Sequence, residues 1–245
     1  MAFGGKLIWA CCCVLFVNGC GSDENASTAL PPSSTTAKIM PLGDSITEST
    51  AGMPTYRFFL WHLLQNEGYR IDFVGSMKGA HDGAPSNTNF DMDHEGHWGW
   101  RADEVLARLP DWVAPASPDI VLLHIGHNDL CQGQPLDSTV NEISAMIDIL
   151  RTTNPSIVIL LAQNIASMWP CHAHMPEFIA RLPALAAAKS TAQSPVSLVD
   201  HHTGFDPPTM TWDGQHPNAK GESLIAERWF ATLRPLLDQR FGHSS

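Results

Sequence analysis

The chain is 245 residues long and 44% hydrophobic, enough to bury the core of one α/β domain without a second. Its 14 Lys and Arg stand against 25 Asp and Glu, a formal charge of −11 at pH 7. That balance repels phosphate backbones and no basic run offsets it locally, which excludes nucleic acid as a partner.

Lys6 and the apolar stretch from Leu7 to Val17 read as an export signal, since the stretch is too short to span a bilayer comfortably. The tetrapeptide "VNGC", Val17 to Cys20, resembles a bacterial lipobox, in which the cysteine is lipidated and becomes the mature N-terminus. Asn18 and Val17 depart from the residues usual there. The expectation is a signal peptide over 1–19, lipidation at Cys20 and attachment to the cell envelope, periplasmic or on the outer surface. Cleavage nearby to release a secreted protein is the alternative. Cys11, Cys12 and Cys13 leave with the signal, so Cys131 and Cys171 remain. Two is the number for one disulfide in an oxidising compartment, and a pair of buried thiols is the other reading. Residues 20–37, rich in Ser, Thr and Pro, read as a disordered linker with a reach of roughly 20–25 Å.

From 38 to 245, β-type apolar runs alternate with amphipathic segments, the pattern of βα units around a parallel sheet. Strands are predicted at Lys38–Leu42, Arg70–Ser76, Asp119–Gly126, Ser156–Ile165 and Val196–Asp200. Helices are predicted at Thr55–Asn66, Ala102–Trp112, Ser138–Thr153, Pro176–Ala192 and Asn218–Asp238. The third and fourth strands are almost continuously apolar, as when helices cover both faces. The fold class is therefore α/β: a flavodoxin-like three-layer α/β/α sandwich with a five-stranded parallel sheet, whose ligands bind at the carboxyl ends of the strands.

Three polar stretches fall at those strand ends. "GDS" (Gly43–Ser45) follows the first strand, "GHND" (Gly126–Asp129) follows the third, and "WDGQHPNAKG" (Trp212–Gly221) precedes the last helix. Ser45 alone reads equally well as a helix N-cap. With His216 and Asp213 gathered beside it, Ser45 Oγ gains a base and the base gains a carboxylate that fixes its tautomer. Asp44 reads as structural, shaping the turn. "DMDHEGH" (Asp91–His97) clusters carboxylates and imidazoles without metal-ligand spacing, and His124, His127, His201 and His202 show none either. No metal or other cofactor is expected.

The order of these blocks resembles the SGNH (GDSL-type) hydrolases: "GDSIT" with Ser45, G-x-N-D through Gly126 and Asn128, and D-x-x-H through Asp213 and His216. In the second block "HEGHWGW" offers Gly96 and Gly99, and Gly99 is the better match by position. "IMPLGDS", "IDFVGS" and "DHEGHWGW" are further similar to the acetylxylan esterases of carbohydrate esterase family three, which commonly have a small residue where this chain has Trp98. The resemblance implies a serine esterase acting without a cofactor, with Ser45 as nucleophile, His216 as base and Asp213 as its partner. It also implies an oxyanion hole from the backbone N–H groups of Ser45 and Gly99 and the side-chain amide of Asn128. Glycine at 99 is expected to permit close backbone approach.

Trp98, Trp100, Trp169 and Trp212 flank these loops and are candidates for the substrate pocket, with packing as the competing role. The expected partner is an acetylated carbohydrate or other small ester. A lysophospholipase, thioesterase or short-chain arylesterase of the same superfamily is the alternative, and a carbohydrate-binding lipoprotein without activity is the alternative from another class. A Cys131–Cys171 bond would brace two loops over the site.

Overall fold

The computed structural model describes Met1 and residues 35–242, so all of the expected signal peptide but Met1, together with Cys20 and most of the linker, lies outside the described residues. Strand β1 (Ala37–Gly43) leads into a single-turn helix α1 (Ser45–Glu48) and then α2 (Tyr56–Asn66). β2 (Ile71–Phe73), β3 (Met77–Lys78) and β4 (Asp93–Gly96) precede α3 (Ala102–Ala116). β5 (Ile120–His124), α4 (His127–Cys131), α5 (Leu136–Thr153) and β6 (Val158–Gln163) follow. A 3₁₀ turn (Pro170–His172), α6 (Met175–Ile179), α7 (Leu182–Lys189), β7 (Val196–Asp200), α8 (Pro207–Met210) and α9 (Ala219–Arg240) complete the chain.

The predicted three-layer α/β/α sandwich is present. The five predicted strands pair in parallel in the order β2-β1-β5-β6-β7, with β1 as the hub. Alternation along each strand sorts the core into two halves. Met40, Leu42, Val121, Leu123, Ile159 and Leu161 meet α3, α5 and α7 on one face. Ile39, Ile120, Leu122, Val158 and Leu160 meet α2 and α9 on the other.

Two features depart from the sequence reading. The sheet has seven strands among the described residues rather than five. β2 is shorter than predicted and covers only Ala37–Ile39 of β1, which leaves the Leu42–Gly43 edge to β4 in parallel, and β3 then pairs antiparallel to β4. The predicted helix over Pro176–Ala192 is two helices, because Pro183 supplies no N–H to continue a helix from the preceding turn and instead sits in the first turn of α7.

Candidate active site

The carboxyl ends of β1, β4 and β5 converge, and each delivers one polar stretch. At the end of β1, Asp44 Oδ1 accepts the Ile46 N–H at 3.0 Å and caps α1, which leaves Ser45 as the first helical residue, 5% exposed. Asp44 is thus the capping group, as expected of a structural aspartate. Its other carboxylate oxygen lies 3.6 Å from His127 Nδ1.

His216 arrives from the loop before α9. Its Nε2 lies 3.0 Å from Ser45 Oγ, and its Nδ1 lies 2.7 Å from Asp213 Oδ2. With Nδ1 carrying the proton toward Asp213, Nε2 is an acceptor aimed at the serine hydroxyl. The loop is wound tightly around the carboxylate: Asp213 Oδ1 accepts the backbone N–H of Gln215 at 2.9 Å and of His216 at 2.7 Å. Partial burial pushes the Asp213 carboxyl up, but the side-chain hydrogen bond from His216, with the two backbone N–H groups, outweighs it and holds the carboxyl below the usual carboxylate range.

Ser45, Gly99 and Asn128 line one cavity of about 220 Å³, together with Trp98, Cys131, Trp169, His172, Asp213, Gln215 and His216. Asn128 Nδ2 donates to Trp100 O at 2.9 Å, which fixes the amide and leaves its second N–H for the cavity. Gln132 Nε2 donates to Gly99 O at 3.2 Å and fixes that peptide in turn. The two glycines of the second block serve different ends. A side chain at Gly96 would drive into the Glu48 backbone, with its Cβ 2.6 Å from Glu48 N, so Gly96 lets β4 lie against α1. Gly99 faces open space, and it is its φ of +80° rather than crowding that asks for glycine.

Of the expected pocket tryptophans, Trp98 lines the cavity and stacks on His216, with ring centroids 4.5 Å apart. Trp212 borders a separate narrow crevice with Ser45, Trp98, His216 and Glu222, and its ring stacks near His216 at 5.5 Å. Trp100 is not a pocket residue. Beyond the Gly99 turn it packs on His97 at 4.6 Å and tilts against Trp112 at 5.9 Å, joining the core beside α3. Trp169 stands edge-on to His216 at 5.7 Å and donates from Nε1 to Asp213 O at 3.1 Å, so it holds the His216 loop as well as lining the cavity.

Cys131 and Cys171 are joined in a disulfide that ties α4, the helix of Asn128, to the 3₁₀ turn. His172 fills the corner behind it, with Nε2 3.0 Å from His127 O and Nδ1 2.8 Å from Ser167 Oγ. Burial, with the nearby His127, pushes the His172 imidazole down to about 4. The cavity wall is therefore neutral there at working pH.

The groups of "DMDHEGH" are engaged in the fold. Asp91 accepts from Phe73 N and Asp93 N, Glu95 accepts from Ser76 and lies 2.7 Å from His97 Nε2, and His94 Nδ1 accepts from Gly96 N. The segment is the β4 arm that carries Trp98 and Gly99 to the site.

Sequence reasoning missed Glu48 and His81. Glu48 accepts the backbone N–H of Trp98, and His81 stacks on the Trp98 ring at 5.0 Å. Burial raises the Glu48 carboxyl, partly offset by that hydrogen bond. No local pattern marks either residue, since Glu48 and Trp98 are 50 positions apart.

A serine backed by an imidazole and an acid, set at the carboxyl edge of a parallel sheet beside an amide and a left-handed glycine, is an arrangement in which a hydroxyl oxygen can be activated by a neighbouring base. The chain belongs to the GDSL-like lipase/acylhydrolase family, a family of carboxylic ester hydrolases, whose profile matches residues 42–224. It is 30% identical over 235 residues to a multidomain esterase of Ruminococcus flavefaciens, covering 84% of this chain and 30% of that longer protein. The chain spans less than two thirds of the curated relatives it matches. Among solved structures, a carbohydrate esterase family 3 protein from Talaromyces cellulolyticus is 30% identical with a TM-score of 0.75, over 83% of this chain and 99% of that one. The family 3 carbohydrate esterase of Clostridium thermocellum is 34% identical with a TM-score of 0.72, over 84% of this chain and all of that one, 100%.

Proposed function

We propose that the protein is an exported serine esterase that removes acetyl groups from carbohydrate esters such as acetylated xylan. The observation that carries the reading is the continuous relay from Asp213 through His216 to Ser45, at 2.7 and 3.0 Å, opening on the cavity of about 220 Å³. His216 takes the Ser45 proton as Oγ adds to the ester carbonyl, and returns it to the departing sugar alcohol. Water then repeats the sequence on the acetyl-enzyme. The oxyanion is held by the N–H groups of Ser45 and Gly99 and by the free N–H of Asn128.

Two features favour a short acyl group on a sugar over a long acyl chain. The cavity is smaller than the roughly 300–1,000 Å³ of sites that engulf drug-sized ligands, and Cys131 and His172 close its wall. Trp169, which lines the cavity, and Trp212, which borders the neighbouring crevice, are exposed by 39% and 47%, aromatic faces of the kind on which a pyranose rests. The similarity to two family 3 carbohydrate esterases supports the same choice.

Purified protein assayed on acetylated xylan and on p-nitrophenyl esters of increasing chain length tests the reading. Acetate release, a steep fall beyond acetyl, and loss of activity in Ser45→Ala and His216→Ala with the fold retained are expected. Undiminished activity in Ser45→Ala removes the nucleophile, and a preference for long acyl chains moves the protein to the lipolytic alternative. Export rests on the N-terminal pattern alone, with a lipid on Cys20 as the proposed anchor. Palmitate labelling that persists in Cys20→Ala would refute the anchor.

A further inference from the structure

His216 is charged twice in each catalytic cycle of such an esterase, and aromatic rings surround it. Trp98 stacks on it at 4.5 Å with 16° between the planes, Trp212 at 5.5 Å with 19°, and Trp169 meets it edge-on at 5.7 Å and 82°. Trp98 is the nearest of the three, and it is held both at its backbone and at its ring. Its backbone N–H is given to the Glu48 carboxylate, and its ring also stacks on His81 at 5.0 Å and 16°. His81 is in turn placed by carboxylates, with Nδ1 3.6 Å from Glu48 and Nε2 3.5 Å from Asp82.

An indole carries negative potential on its faces, and a cation lying flat against one is attracted in a way that a neutral ring is not. The attraction grows where water is kept out, and His216 is 9% exposed. We propose that Trp98 is a positioning residue for the hydrolysis: its indole face supports the positive charge that His216 acquires on taking the Ser45 proton. Glu48 and His81 keep that face in place. The inference rests on the serine esterase reading above.

The step balances within the site. The Oγ–H bond of Ser45 breaks and an Nε2–H bond forms on His216, while Oγ bonds to the carbonyl carbon and the carbonyl electron pair moves to oxygen. The proton then passes to the leaving alkoxide as the C–O bond breaks, and deacylation repeats the exchange with water. In both halves the imidazolium exists only while negative charge sits on the substrate oxygen. Wherever the resting imidazole is neutral, support given to that cation is therefore given to the transition state rather than to the resting enzyme.

The charged and titratable groups facing His216 leave this role to Trp98. Asp213 meets the ring edge at Nδ1 from the same loop. Ser45 comes from α1, Glu222 from α9 and His172 from the 3₁₀ turn, while Glu48 and His81 meet Trp98 and Asp82 meets His81. Burial raises the carboxyl of Glu48 and, far more, that of Glu222, and it lowers His172 to about 4. Asp213 thus supplies the anion at the ring edge and Trp98 supplies the face.

The experiment compares the parent with W98L and W98F, using p-nitrophenyl acetate hydrolysis and the rate of inactivation by a fluorophosphonate, each from pH 5 to 9. Leucine keeps apolar bulk against the imidazole but has no π face, and phenylalanine has a weaker one. W98L is expected to lower kcat about 3- to 10-fold with KM changed less than about twofold, and to move the acid limb of both profiles to lower pH. W98F is expected to fall between W98L and the parent. A parental kcat in W98L, or a loss confined to KM with an unmoved limb, overturns the proposal. The second result would make Trp98 a wall for substrate only. Thermal melts check folding, and if W98L does not fold, W98F with parental kcat and profile overturns it equally. A parent that neither hydrolyses the ester nor reacts with the fluorophosphonate removes the esterase reading itself. A reactive parent matched by its variants removes only the role of Trp98.

Discussion

Arg57 offers a demanding test of how the site is braced. It lies in the first turn of α2 with no exposed surface, and its guanidinium donates to four backbone carbonyls: Thr47 O at 3.0 Å, Glu48 O at 3.0 Å, Gly79 O at 2.5 Å and Met92 O at 2.8 Å. The first two end the helix that begins with Ser45. The other two close the neck of the loop that carries His81. Replacing Arg57 with methionine fills much of the space but leaves all four carbonyls without this partner. At about 1.5 kcal/mol for each hydrogen bond from a charged donor the gross loss is about 6 kcal/mol. Burying the charge opposes this. Burial lowers the Arg57 guanidinium from 12.5 to about 10, a cost of about 3 kcal/mol that the methionine variant no longer bears. The net expectation is a loss of about 3 kcal/mol, or about 6–12 °C in Tm for a domain of this size. Urea unfolding at pH 7 and thermal melts read it directly. Lysine, a compact ammonium without the planar fork, is expected to recover less than half of the loss. A loss under about 1 kcal/mol in Arg57→Met, or parental stability in Arg57→Lys, would refute the clamp.

Other expectations follow from the same geometry. Asn128→Ala removes an N–H aimed into the cavity and is expected to lower kcat by about 10²–10³ with KM little changed, read by steady-state kinetics on a small acetyl ester. The Cys131→Ala/Cys171→Ala double variant opens a bridge between residues 40 apart, and a loss of up to about 4 kcal/mol is expected in chemical denaturation. Mass spectrometry finding two free thiols in protein kept oxidised would contradict that bridge. His201, wholly buried against Trp229, is pushed by burial down to about 3, so it stays neutral in the fold but takes a proton in the unfolded chain below 6.5. Its contribution to stability is full above pH 6.5 and is lost as pH falls toward 3. In that window His201→Gln is expected to flatten the dependence of stability on pH by about 1.4 kcal/mol per pH unit relative to the parent.

The backbone of this protein was legible in its sequence because burial writes itself locally. A strand between two helical layers is apolar throughout, as Ile120–Leu123 and Val158–Leu161 are. A turn after β1 declares itself through Asp44, but that Asp44 rather than Ser45 caps the helix is visible only in the fold, as is the helix break at Pro183 inside an apolar run. The short β4 escaped because its residues are polar and it pairs only where β2 leaves the end of β1 uncovered. That opening depends on two other strands.

The same division holds at the site. Asp213 and His216 were readable as a pair because they stand three positions apart in the sequence, and Ser45 joined them because a parallel sheet of βα units gathers its strand ends at one edge. Only the folded molecule brings His216 to Ser45 across 171 positions, ties Cys131 to Cys171, and turns Trp100 into the core while it lays Trp98 on the imidazole. Side-chain chemistry is a property of the residue and can be read one letter at a time. Which ring faces which is set by strand register and by loop bonds such as that from Trp98 N–H to Glu48, and those belong to the whole fold.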